Sequence, residues 1–180
     1  DKEFGQEAYY HYGLAAKELK LYSEFKNALV KVAATSKVKD LRHWAIEELV
    51  KGVALLEIND IGDIDPLIIN AEYDADTYDA YQFYRAKYYL EKGNLTEVES
   101  ALALIPEKSE FFPESRFISG LSKYRQGKIT EAQDRLREVL SNSHSLPAIQ
   151  TLASLTLARI YFQKQDYKEA QKLYLVVDKD

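Results

Sequence analysis

Cysteine is absent from the 180 residues. That removes disulfide frameworks, thiol nucleophiles and thiolate metal ligands together, and it leaves the compartment open, because a cysteine-free chain suits both cytosol and exported space. Glycine at 7 and proline at 4 are scarce beside average usage of about 7% and about 5%. Few breakers therefore interrupt regular structure, and an α-rich chain follows. Lysine and arginine number 24 against 29 aspartates and glutamates, a net charge of −5, which argues against a nucleic-acid footprint or a polybasic membrane contact. The longest apolar runs, such as Ala101 to Ile105 and Leu173 to Val177, fall far short of the roughly 20 residues that a spanning helix needs, so no direct membrane insertion is expected. The start, Asp1, Lys2, Glu3, has neither a basic leader nor an initiator methionine and reads as a processed or excised piece.

Catalytic constellations are equally missing. His11, His43 and His144 lie far apart with no partner at metal-ligand spacing. No glycine stands in a phosphate-loop or dinucleotide-loop setting, and no serine pairs with a histidine by position. Asp60, Asp63, Asp65, Asp74 and Asp76 fit no calcium loop and read as a solvated acidic turn. The sequence thus points to a protein with no catalytic residues, metal or cofactor.

Aromatic residues are plentiful, with 14 Tyr, 7 Phe and 1 Trp, and in a chain with few breakers they sit within helices, packed between them or presented on a face. One register recurs five times. It starts from a small residue, Gly13, Gly52, Ala86, Gly120 or Ala158, at successive spacings of 39, 34, 34 and 38. Nine residues on stand Tyr22, Ile61, Leu95, Ile129 and Tyr167; twelve on, Phe25, Ile64, Val98, Ala132 and Ala170. Sixteen on come Leu29, Ile68, Leu102, Leu136 and Tyr174, and nineteen on Val32, Ala71, Ile105, Val139 and Val177. Apolar residues at steps of three and four define one face of a second helix in each unit. Gly93-Asn94, Gly127-Lys128 and Gln165-Asp166 mark the turns between paired helices, with Asn94, Thr96, Thr130 and Asp166 as candidate amide acceptors. Pro66 fits only near the start of its helix.

A small residue, an aromatic three later, a turn and an alanine in the next helix, here Ala158, Tyr161, Asp166, Tyr167 and Ala170, resemble the tetratricopeptide repeat. Ala86, Tyr89, Gly93, Leu95 and Leu102 form a second copy, and Gly120, Gly127, Ile129 and Ala132 a third. The chain departs from the pattern four residues before the small one, where Glu48, Gln82, Arg116 and Ser154 replace a large apolar residue, and the usual inter-repeat proline is missing or displaced to Pro106 and Pro147. The resemblance implies a right-handed α-hairpin solenoid of about ten helices. Its one repeat domain, residues 1–180, would have units at about 6–38, 40–74, 79–112, 113–147 and 148–180.

It also implies a protein or peptide partner held in a concave groove lined by the first helices. Three before, one after and four after each small residue stand Tyr10, Leu14, Lys17; Leu49, Val53, Leu56; Phe83, Lys87, Leu90; Phe117, Leu121, Tyr124; and Leu155, Arg159, Phe162. Of these Tyr10, Phe83, Lys87, Phe117, Tyr124, Arg159 and Phe162, together with Tyr84, are the candidate partner-binding residues, with Lys87 and Arg159 available to a carboxylate. Packing between first helices is the alternative for Phe83, Phe117, Leu155 and Phe162. The carboxylate clamp of chaperone-binding relatives is not expected, since Tyr10, Leu14, Leu49 and Val53 stand where it needs Lys and Asn. Repeat count and the cysteine-free composition resemble bacterial envelope adaptors, which implies a periplasmic or envelope-associated place. A peptide-sensing regulator and an accessory domain of an enzyme or envelope complex are the other functional classes. Tyr73, Tyr78, Tyr81, Tyr84, Tyr88 and Tyr89 read either as interhelix packing or as a patch for a protein partner. The apolar end from Leu173 to Val177 makes a poor cap, so further repeats or self-association through the last helix are expected.

Overall fold

The computed structural model describes residues 2–55, 62, 64–68, 75–142 and 144–177. Ten helices and no strand occur among the described residues: α1 (Lys2–Glu18), α2 (Tyr22–Thr35), α3 (Lys39–Leu55), α4 (Asp65–Ile68), α5 (Ala75–Lys92), α6 (Leu95–Leu102), α7 (Phe112–Arg125), α8 (Ile129–Ser141), α9 (Pro147–Gln163) and α10 (Tyr167–Val177). The all-helical class follows from the scarcity of breakers. The chain divides into two compact units, Asp1–Tyr84 and Arg85–Asp180, with the boundary inside α5. Ile61, Ala71, Tyr73, Leu56, Asp60, Asp63 and Asp74 of the sequence reading, and the Val53 side chain, lie outside the described residues.

In the first unit α2 packs on both α1 and α3, α1 touches α3, and α4 reaches α2. In the second, α6 packs on α7, α7 on α8, α8 on α9 and α9 on α10, and α7 also touches α9. In each unit one helix, α2 or α8, packs on both of its neighbours, and those two neighbours also touch each other.

Four turns share one geometry. Lys20, Gly93, Gly127 and Gln165, each seven residues after its small residue, have φ of 59°, 75°, 75° and 63°. In every case the next amide donates to the carbonyl five residues back: Leu21 to Ala16, Asn94 to Tyr89, Lys128 to Lys123 and Asp166 to Tyr161, at 2.8 to 3.0 Å. The left-handed residue itself donates three back, to Lys17, Leu90, Tyr124 and Phe162. This paired closure satisfies the last carbonyls of the first helix and reverses the chain. Asn94 Oδ1 accepts from the Glu97 amide at 3.4 Å and Asp166 Oδ1 from the Glu169 amide at 3.3 Å. Thr130 does not cap: α8 begins after Lys128, which makes no side-chain cap bond. Thr96 likewise lies inside α6, which Asn94 caps.

Burial follows the register at the small residue and twelve residues on. Gly13, Gly52 and Gly120 are buried, and Ala86 and Ala158 are fully so. So are Phe25, Ile64, Val98, Ala132 and Ala170 twelve residues on. The reason a small residue is required shows at two crossings. A Cβ on Gly13 would lie 2.9 Å from Leu29 Cδ2, and one on Gly120 would lie 2.9 Å from both Cγ and Cδ2 of Leu136. Both leucines are fully buried, and each burial contributes roughly 1.5–3 kcal/mol. One expected helix face is shorter than its stripe: α6 ends at Leu102, and the buried Ile105 follows in the turn beyond. Pro66 stands second in the four-residue α4.

Gly120→Ala tests the crossing. Alanine gains about 1 kcal/mol of helix propensity over glycine, but overpacking against Leu136 costs about 1–3 kcal/mol. The net expectation is a loss of about 1 kcal/mol in urea unfolding, whereas Gly5→Ala, with nothing within 4 Å of the new Cβ, loses nothing.

Candidate functional site

In the second unit, α9 is apolar on two sides. Ala153, Leu157 and Ile160 face the core with α8's Ala132, Leu136 and Val139. The opposite stripe, Leu152, Leu155, Arg159 and Phe162, recurs at steps of three and four and is exposed, Phe162 by 56%. The Phe162 ring meets Tyr167 edge-on at a centroid distance of 5.3 Å. The Arg159 side chain makes no hydrogen bond or ion pair among the described residues. Beside α9, α7 carries Phe117 and Tyr124, which are half-buried against the same core cluster. The Tyr124 hydroxyl donates to Gln163 Oε1 at 2.6 Å, tying α7 to α9. Lys87 is exposed on α5. Among the expected residues, the structure therefore brings Phe117, Tyr124, Arg159 and Phe162 onto two adjacent helices, with the aromatic rings of α7 partly used in packing.

The α5 residues before the unit boundary behave differently. Phe83 is buried, 8% exposed, a packing position, and the half-buried Tyr84 stacks edge-on against it at 5.1 Å. Tyr81 is 2% exposed and its hydroxyl has no hydrogen-bond partner among the described residues. A tyrosine patch through Tyr81, Tyr84 and Tyr88 is thus interrupted at the buried Tyr81. Tyr88 and Tyr89 pack edge-on at 5.3 Å, with Lys92 over Tyr88 and Arg85 over Tyr89.

In the first unit Tyr10 is half-buried and lies 6.4 Å, centroid to centroid, from Trp44 on α3. Leu49, expected in the groove, is fully buried instead. Trp44, 49% exposed, is the residue the register missed. Its signal was available: the sole tryptophan falls off the buried stripe Leu41, Ala45, Ile46, Leu49 of its own helix. Lys17 Nζ donates to Glu48 Oε2 at 2.8 Å across α1 and α3, and Lys51 reaches Glu47 at 2.8 Å and Glu48 at 3.4 Å. Burial raises the Glu48 carboxyl, but the hydrogen bond and charge of Lys17, with Lys51, outweigh it and hold the group below the usual carboxylate range.

No group of three or more His, Asp or Glu side chains among the described residues is arranged to hold a metal. A depression of about 500 Å³ lies between the loops before α7 and before α9, lined by Glu107, Glu110, Glu114, Lys108 and His144 among others. These are solvated groups of mixed charge, apart from the aromatic stripe. Among the described residues no helix is long and apolar enough to cross a membrane. No family model, curated protein or solved structure matches the chain.

The Lys17–Glu48 pair sets a pH dependence. Because the folded carboxyl is depressed, its contribution is present above the unfolded value and is lost as pH falls through the folded one. Glu48→Gln should cost about 1 kcal/mol at pH 7, and the gap to the parent should narrow in thermal melts as the pH is lowered below the usual carboxylate range.

Proposed function

We propose that the chain is a tetratricopeptide-like, right-handed solenoid of helical hairpins that holds another protein or a peptide on the face of its first helices and performs no chemistry itself. Support for the array comes from the repeated turn closure and from the alternation of contacts within each unit. The observation that carries the binding is the stripe on α9, where Leu152, Leu155 and Phe162 stay exposed around Arg159 although the opposite side already serves the core. Exposed aromatic and long apolar side chains on a rigid helix make anchors for a partner's apolar groups, and a cation among them selects a nearby carboxylate. Lys87 and Tyr124 extend the same chemistry onto α5 and α7.

A random dodecapeptide library presented to the purified 180-residue chain should select sequences with an aromatic or long apolar residue near an acidic one. Phe162→Ala and Arg159→Ala should each weaken a selected peptide about tenfold, or ~1.4 kcal/mol, with the helical circular dichroism unchanged. No enrichment, or ligands indifferent to both substitutions, would overturn the reading.

A second reading, self-association through α10, is favoured by a specific contrast. Leu136 on α8 is fully buried beneath its neighbours, whereas Tyr174, the same register position on α10, is 42% exposed beside Leu175 at 53% and Val176 at 58%. A second copy covering α10 would remove that surface from water. Sedimentation at rising concentration should then show a dimer that Leu175→Lys dissociates; a monomer throughout would remove this reading.

A further inference from the structure

The exposed Trp44 and the half-buried Tyr10 of the first unit lie outside the α9 stripe and have their own chemistry. We propose that Trp44 and Tyr10, flanked by Glu7, Asp40 and Glu47, form a subsite for a cationic side chain, lysine or arginine, of a partner peptide. The inference rests on the reading of the chain as a peptide-binding array and adds the chemistry of one position in it.

Trp44 is half exposed while Ala45, Ile46 and Leu49 on the same helix are 0 to 2% exposed, so α3 packs without the indole. Tyr10 stands across from it on α1 at 6.4 Å with the ring planes tilted by 43°, which gives two walls rather than one stacked pair. Indole is the strongest aromatic acceptor for a cation, and such contacts gain when several rings or a carboxylate surround the charge. The molecule already makes this contact elsewhere on α1, where Lys31 Nζ sits 3.7 Å over the Tyr9 ring.

The surrounding charges have the complementary sign. Asp40 lies four residues before Trp44 and Glu47 three after it, while Glu7 lies three before Tyr10, so each shares a helix face with its ring. Two neighbouring cations are engaged: Lys17 with Glu48, and Lys51 with Glu47 and Glu48. The Glu7 and Asp40 side chains make no hydrogen bond or ion pair among the described residues, and Glu47 uses only Oε1. The field is consistent with this arrangement: the Tyr10 hydroxyl is raised first by burial and then by Glu48 and Glu47, with Lys51 opposing. At this subsite the same charges disfavour an acidic side chain and favour a basic one.

Because Trp44 is the sole tryptophan, its emission reports on this subsite alone. A blocked Gly-Arg-Gly-Arg-Gly peptide titrated at low salt should change that emission saturably, and the affinity should fall as salt is added. The Glu counterpart should give no saturable change. Asp40→Asn with Glu47→Gln should weaken the Arg peptide about three- to tenfold with circular dichroism unchanged. Absence of a saturable change with the Arg peptide, an equal response to the Glu peptide, or full affinity in the double variant would each overturn the proposal. Phe162→Ala should leave the Arg response intact, so failure here and failure of the library selection on α9 are separate results.

Discussion

A leucine of each second helix pressed against a first-helix backbone that lacks a side chain is the interaction on which the two clearest hairpins depend. At Gly13 with Leu29, and at Gly120 with Leu136, the approach is so close that a methyl group would collide. The sixteen-residue separation is identical, although the residues fall in different compact units. Close approach lets the leucine be fully buried, and burial of one such side chain outweighs what glycine costs a helix, about 1 kcal/mol against roughly 1.5–3. The contact also sets where the turn must fall, since seven residues separate the crossing from the left-handed residue that reverses the chain. At Lys20 and Gln165 the fold holds non-glycine residues in that conformation, at a cost of about 1–2 kcal/mol each. The paired hydrogen bonds that close the turn offset this.

Once hairpins are fixed this way, the role of each aromatic residue is decided by which helix lies over it. Phe83 and Tyr81 are covered and serve packing; Phe162 and Trp44 are left at the surface. Tyr124 does both, resting on the core cluster while its hydroxyl ties α7 to α9. Polar groups hold the neighbouring first helices in the same way in the other unit, where Lys17 crosses from α1 to Glu48 on α3. Glu48 of that pair acts on the Tyr10 hydroxyl, so the contact that aligns the helices also shapes the charge around Tyr10 and Trp44.

Much of the fold was legible in the sequence. The small-residue register, the two glycine turns, the Gln165 turn and the buried columns could be read because helix packing imposes a period of three and four on apolar residues and local closure imposes glycine or an equivalent at the cap. The first-unit turn at Lys20 was not legible, since lysine carries no preference for positive φ. The α6 stripe overran its helix because a buried residue in a turn, Ile105, is indistinguishable by hydropathy from one in a helix.

The candidate site was less legible. Groove positions counted from the small residue gave Arg159 and Phe162, which are exposed, but also Phe83 and Leu49, which are buried, and they passed over Trp44. By itself the sequence determined an all-helical chain, the spacing of its crossings and the turns at Gly93, Gly127 and Gln165, because these are set by backbone hydrogen bonding and by apolar periodicity along one segment. Only the tertiary structure decided which aromatic rings are covered and which face solvent, and which lysines are neutralised by a carboxylate on another helix. Those outcomes depend on neighbours far apart in the chain, and no local pattern records them.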